Sequence, residues 1–428
     1  MRRFALLVRG PFHRLPARPS ILAITSELPW PLDRGGHLRS FHLLRGLAAD
    51  FDVRLVAPIE PGQEALVPAL SAAGIRVCPV RVGPRRAPIE TLRVFRAALT
   101  REPYVLFRRH DRASVRHTVS VQVAINRPDL LYLDHLDSAL YADTCRVPAI
   151  LDVHNIYSAL VRRTADEQPN PIVGQYLRGE ARLLERAERR AATRAALVTA
   201  ASDEDCAYYQ ASGAGRVAMV ANGVDCDAYA ALPLIRHSRP PVILYVGTMS
   251  WGPNVAAAKF LALDVLPRIQ LRLPDARLRI IGRDPPPEIR ALAERPNIDV
   301  TGAVPDVVPH LGEAHALAVP LESGGGTRLK ILEAFAAGLP VVSTPVGCEG
   351  LRAEHGVHLL VAPRERMAQA LVTVLSNRLL AYGLAERARS LVRDHYDWRS
   401  IGMVARREAR AVLRCRSAAR ELQMQDAG

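Results

Sequence analysis

"ILAITSELPWPLDRGGHLRSFHLLRGLAADFDVRLVAP", residues 21–58, reads as strand, glycine turn, helix, strand. Ile21–Thr25 is a short extended run, and Gly35-Gly36 open a helix whose Leu38, Phe41, Leu44 and Leu47 recur at helical spacing. Val53–Ala57 then resumes an apolar strand. The alternation continues with helix 62–73, strand 75–80, a basic helical stretch 88–125, strands 129–134 and 149–154, a long helix within 171–194 and strand 196–201. Strands continuous in Val, Ile, Leu and Ala, separated by helices, indicate a parallel sheet covered on both faces.

After the proline-rich 233–241, which reads as a linker, the pattern starts again. Strands are expected at 242–247, 277–281, 298–301, 315–320 and 340–343, with helices at 254–270, 286–294, 305–313, 327–337, 364–376 and 378–394 and a basic terminal helix at 400–421. The fold class expected is α/β, two Rossmann-like domains in tandem with an interdomain cleft at the carboxyl ends of both sheets, where open α/β sheets bind ligands. The expected division is a basic, disordered arm 1–19, a first domain 20–235, a second domain 236–395 and a C-terminal basic helix 396–428 able to return to the first domain.

At 428 residues with 49% hydrophobic content, the chain can build two full cores. Its six cysteines are scattered without a C-x-x-C pair, which argues against a disulfide framework or thiolate metal site and fits a reducing cytoplasm. The apolar run Phe4–Val8 is too short for a signal sequence, and no stretch reaches the roughly 18 apolar residues of a membrane span. The net charge of +14 is unevenly placed: residues 81–118 carry ten arginines against Glu90, Glu102 and Asp111, and residues 387–420 carry ten against Asp394, Asp397 and Glu408. Such segments can bind nucleic acid or an anionic membrane face, where each arginine adds about 1 kcal/mol, or simply form a solvated face of an arginine-rich chain. Nucleic acid is not expected, because the basic runs lack interleaved aromatic platforms.

The chemistry concentrates in "ESGGGTRLKILEAFAAGLPVVSTPVG", residues 322–347. Gly324, Gly325 and Gly326 let backbone N–H groups approach an anion, and a helix beginning near Thr327 adds its positive end. Arg328 and Lys330 flank that end, and Glu333 follows where a carboxylate accepts hydrogen bonds from hydroxyls. Lys330 is one of only two lysines, with Lys259, against 55 arginines, so its retention calls for a reason. The stretch can hold a diphosphate and a ribose; the plainer alternative is a helix with a glycine entry and a solvated Glu. Asp33, Arg34 and Arg39 can reach a ligand or merely begin their helix. No zinc spacing or phosphate-loop motif appears, so no metal and no cofactor are expected.

These residues resemble the group 1 glycosyltransferases, also called glycosyltransferase family 4. "PWPLDRGGHLRS" is similar to the family's glycine loop, "LDVHN" to its His-containing strand end, "SDEDCAYY" and "NGVD" to its pre-linker segments, and "KILEAFAAGLPVVSTPVGCEG" to its donor site. The resemblance implies the two-domain GT-B fold and sugar transfer from a nucleotide-diphosphate donor with retention. It implies that Arg328 and Lys330 neutralise the diphosphate and that Glu333 binds the ribose. It further implies that Gly35 and Gly36 approach the donor from the opposite domain, that Gly247 and Thr248 line the nucleotide pocket, and that His154 sits beside the transferred sugar. Two positions depart from the family pattern. Gly325 stands where a Glu is common, with Glu322 three residues earlier, and "GTMSWGPN" lacks the Arg and Lys that commonly follow the second domain's first strand, leaving more of the phosphate charge to Arg328 and Lys330.

The function expected is a cytoplasmic glycosyltransferase, peripheral on the membrane, acting on a lipid-linked or glycan acceptor in envelope or exopolysaccharide synthesis. A nucleotide-sugar epimerase or hydrolase on the same fold, and a non-catalytic scaffold, are the alternatives.

Overall fold

The computed structural model describes residues 18–84, 87–144, 147–234, 240–323 and 328–425. Thirteen strands form two sheets among these residues, and every pairing between them is parallel. The first sheet comprises β1 (Ser20–Ile24), β2 (Asp52–Ile59), β3 (Arg76–Arg81), β4 (Leu130–Asp134), β5 (Ala149–Val153), β6 (Leu197–Ala200) and β7 (Val217–Met219), in the order β3-β2-β1-β4-β5-β6-β7. The second comprises β8 (Val242–Val246), β9 (Arg277–Ile281), β10 (Ile298–Gly302), β11 (Ala316–Val319), β12 (Val341–Ser343) and β13 (Leu360–Val361), in the order β10-β9-β8-β11-β12-β13. The two-domain α/β architecture is the one the alternation of runs implies.

Both sheets reverse direction beside their first strand, between β1 and β4 and between β8 and β11. Crevices at such switch points, beyond the carboxyl ends of the strands, are where this class of sheet takes its ligands. The central strands are buried along their whole length, as in β4, β5, β6, β11 and β12, because helices cover both faces. The edge strand β3 is largely exposed, with only Val80 buried.

The helix Gly35–Ala48 is buried on two sides: it packs on the first sheet and is covered by the terminal helix Trp398–Gln425. The contact depends on small residues, since a Cβ at Gly46 would stand 2.9 Å from the Gly402 Cα. His42 stacks on Trp398 with ring centroids 4.7 Å apart, and Arg406 and Arg410 both reach Asp50 at 3.1 Å. The terminal helix thus packs against the first domain through the helix Gly35–Ala48. The expected boundary at 235/236 falls in 235–239, and most of the basic arm in 1–17, outside the described residues.

Candidate active site

At the first switch point, two carboxylates and two imidazoles meet below the Gly35-Gly36 turn. Asp134 ends β4 and Asp152 lies in β5, 2% and 0% exposed. His154, just past β5, donates from Nε2 to Asp134 Oδ1 at 2.9 Å and lies 3.3 Å from Asp152 Oδ2. His135 lies against it, ring centroids 3.5 Å apart, with Nδ1 2.7 Å from the Tyr157 hydroxyl. A Cβ at Gly36 would stand 3.7 Å from His135 Nε2 and 3.9 Å from His154 Nδ1. Glycine there keeps the turn close over both rings.

Arg39 turns into the protein interior. Its guanidinium is 1% exposed and forks onto Asp152, Nη2 to Oδ1 at 2.6 Å and Nε to Oδ2 at 2.9 Å, while Nη1 donates to the Val220 carbonyl at 2.7 Å. A planar guanidinium suits this bidentate, buried role. Thr199 Oγ1 completes the shell of Asp152 at 2.6 Å, and Ser40 Oγ donates to Asp134 at 2.7 Å. Burial opposes ionisation of Asp152, but Arg39 and His154 outweigh it and hold the carboxyl below its ordinary range. Burial likewise disfavours a charged His154, yet Asp134 and Asp152 raise its pKa, while burial and the neighbouring His154 push His135 down to about 4.

This gives a pH prediction. His154 contributes stability that is fully present below its unfolded value near 6.5 and is lost as pH rises through its elevated folded value. Melting temperatures measured from pH 6 to pH 9 are expected to decline less steeply in His154→Gln than in the parent. Equal slopes would remove the charged imidazole from the account.

Asp134, His135 and His154 are also a group whose ligand atoms lie within 4.8 Å of one another. The arrangement suits a metal poorly: His154 Nε2 and Asp134 Oδ1 are already spent on each other, and His135 Nδ1 on Tyr157. An ion would have to break that hydrogen bond and sit beside a proton-holding His154.

At the second switch point, Asn254 is the organising residue. It is 5% exposed; its Oδ1 accepts from the Tyr245 hydroxyl at 2.8 Å and from Lys330 Nζ at 3.2 Å, and its Nδ2 donates to the Thr248 carbonyl at 2.9 Å. Lys330 Nζ also lies 4.8 Å over the Tyr245 ring. Gly247 passes so close that a Cβ would be 2.8 Å from Asn254 Cγ. Lys330 and Glu333 share the helix Leu329–Ala336 at one-turn spacing, with Arg328, 6% exposed, as its N-cap. Burial, then the like charge of Arg328, lowers Lys330 to about 7; burial raises Glu333 to about 7 against the pull of Lys330. Gly324, Gly325, Gly326 and Thr327 lie outside the described residues.

The two halves face each other. A Cβ at Gly35 would touch Leu329 Cδ1 at 3.1 Å, and Arg283 Nη1 donates to Asp33 Oδ2 across the cleft at 2.6 Å. The glycine turn therefore lies opposite the start of the helix bearing Arg328, Lys330 and Glu333. Glu322 is exposed and ion-paired with Arg364, so the carboxylate nearest Gly325 in the chain is committed elsewhere. Lys259 lines a separate open groove with Asp264, Asp284 and Glu288.

Two family models match the chain, "Glycosyl transferase 4-like domain" over residues 34–223 and "Glycosyl transferases group 1" over residues 240–377. The chain belongs to the group 1 glycosyltransferases. This group 1 chain is 30% identical over 192 residues to the phosphatidyl-myo-inositol mannosyltransferase of Mycobacterium tuberculosis, covering 42% of the chain and 50% of that protein. It thus spans about half the length of the curated relatives it matches. Two solved structures share its fold. Sucrose-phosphate synthase of Thermosynechococcus elongatus aligns with a TM-score of 0.67 at 16% identity, covering 93% of this chain and 100% of that one. HepE of Anabaena, solved with UDP and glucose, aligns with a TM-score of 0.65 at 15% identity, covering 92% and 100%.

Sequence reasoning singled out Gly35, Gly36, His154, Gly247, Thr248, Arg328, Lys330 and Glu333, and all lie at the two facing switch points. It missed Asp134, His135, Tyr245 and Asn254. Asp134 and His135 had a signal, a carboxylate and an imidazole closing a buried strand, but its weight depends on knowing that β4 lies beside β1.

Proposed function

We propose that the chain transfers a glycosyl group from a nucleotide-diphosphate sugar to a hydroxyl of a lipid-linked or glycan acceptor, working on the cytoplasmic face of an anionic membrane in envelope or exopolysaccharide synthesis. The observation that carries this reading is Lys330, held by Asn254 over Tyr245 at the second switch point and facing the glycine turn of the first domain. Arg328 and Lys330 bind the diphosphate, and Glu333 takes the ribose hydroxyls. Gly247 and Thr248 line the nucleotide pocket, and Gly35 and Gly36 close over the donor from the other side. His154 sits beside the transferred sugar. The HepE structure with UDP and glucose and the lipid substrate in the mannosyltransferase's name support the donor and acceptor classes.

In the reaction, the bond from the anomeric carbon to the β-phosphate oxygen breaks while the acceptor oxygen bonds to the same carbon from the same face. Because attack and departure share one face, configuration is retained, and the acceptor proton passes to the departing phosphate oxygen. Negative charge grows on that oxygen, and fixed cations there stabilise the transition state. No step calls on a metal or cofactor. Among the described residues no helix is long and apolar enough to cross a membrane; the basic segment 81–118 of the first domain supplies the peripheral contact.

The test is to incubate the purified protein with UDP- and GDP-sugars, with and without a lipid extract, and to follow nucleotide diphosphate by chromatography. Release only when extract is present is expected. Donor consumption without acceptor would transfer the case to an epimerase or hydrolase.

A further inference from the structure

The helix Ala87–Thr100 turns its polar side inward and its apolar side outward. Facing the protein are Glu90, Arg93 and the buried Ala97: Arg93 donates to Glu90 at 2.9 Å and to the Arg108 carbonyl at 2.7 Å, and the Tyr104 hydroxyl also donates to Glu90. Facing solvent are Leu92, Phe95 and Leu99, 67%, 63% and 71% exposed, with Ile89 at 52%. At 3.6 residues per turn those first three side chains fall within an arc of about 60°. A surface helix ordinarily buries such a stripe.

The rim of the stripe is positive. The three acids of the segment are consumed locally, Glu90 by Arg93, Glu102 by Arg108, and Asp111 by Arg108 and Arg116. Arg96, Arg101, Arg109 and Arg112 make no ion pair among the described residues. Arg112 lines a groove of about 500 Å³ with Arg81, Arg93, Asp111, Ser114 and Arg116 at the start of the helix Ala113–Asn126, where four arginines surround the one carboxylate.

We propose that this face is inserted into an anionic lipid bilayer, with Leu92, Phe95 and Leu99 entering the acyl boundary and the free arginines and their groove taking lipid phosphates. The inference deepens the membrane contact proposed above and rests on it. A second copy of the chain is the poorer occupant, because it would bring the same unpaired arginines together, whereas anionic lipid supplies the missing charge.

The test is flotation of the full chain with phosphatidylcholine vesicles with and without phosphatidylglycerol. The parent is expected to float with the anionic vesicles and to remain partly bound in high salt. Phe95→Ser/Leu99→Ser is expected to lose binding about tenfold or more, and Arg96→Glu/Arg101→Glu to lose it as well. A Phe95→Trp variant should blue-shift on adding vesicles. Equal flotation of the serine variant, or complete release of the parent by salt, would overturn insertion. So would a parent that does not float but sediments as a dimer dissociated by the serine variant. Nucleotide-induced stabilisation should be the same in all variants; its absence in the parent would strike the proposed function and leave the vesicle result standing.

Discussion

Replacing Lys330 with alanine is expected to lower kcat by about 10²–10³-fold, about 3 kcal/mol, comparable to the loss of one oxyanion donor. The side chain is held from two directions, by Asn254 Oδ1 and by the Tyr245 ring, so its ammonium is placed before any ligand arrives. Burial and Arg328 already lower its pKa to about 7, and an arriving diphosphate would restore full charge. Lys330→Arg is expected to rescue little of the loss. A planar guanidinium has the charge but not the compact shape that fits between Asn254 and Tyr245. This explains how a lysine persists in a chain that otherwise uses arginine almost throughout. Steady-state kinetics on the three proteins decide it; full activity in Lys330→Arg would reduce the site to a generic positive charge.

The largest loss of stability is expected at Arg39. Arg39→Met removes the partner of Asp152, a carboxylate with no exposure, and breaking one side of a buried pair costs about 3–5 kcal/mol. The penalty comes from the charge left behind more than from the bond itself. Arg39→Met/Asp152→Leu is therefore expected to recover part of the loss, which urea denaturation of the two variants and the parent would show. A single variant as stable as the parent would mean that the pair does not hold the helix Gly35–Ala48 to the sheet.

The contrast between these two residues shows what the sequence makes legible. The alternation of apolar runs and helices is a local property, and it locates the central strands of both sheets. Strands β7 and β13 escape because they are short, partly exposed edge strands without a continuous apolar run. The helix Asp203–Ala211 lies in a segment rich in acidic and polar residues, where the apolar period is faint, and the helix Tyr157–Asp166 is amphipathic but only ten residues long. Lys330 stands out by its rarity and its glycine-rich neighbourhood. Arg39 does not: near a glycine turn it reads as a candidate for binding, and only the fold, which brings Asp152 to it from 113 residues away, shows it to be a buried strut. Asn254 is hidden for the same reason, since its partners Tyr245, Thr248 and Lys330 converge only through the strand order.

The central claim is that the cleft between the two switch points binds a nucleotide diphosphate through Lys330. Calorimetric titration of UDP, GDP and ADP into the purified protein, repeated with Lys330→Ala, tests it most directly. The account predicts that one of these nucleotides binds the parent and that the variant, still folded, binds it at least about tenfold more weakly, a difference of about 1.4 kcal/mol. Equal binding in both proteins, or none in a folded parent, would contradict it.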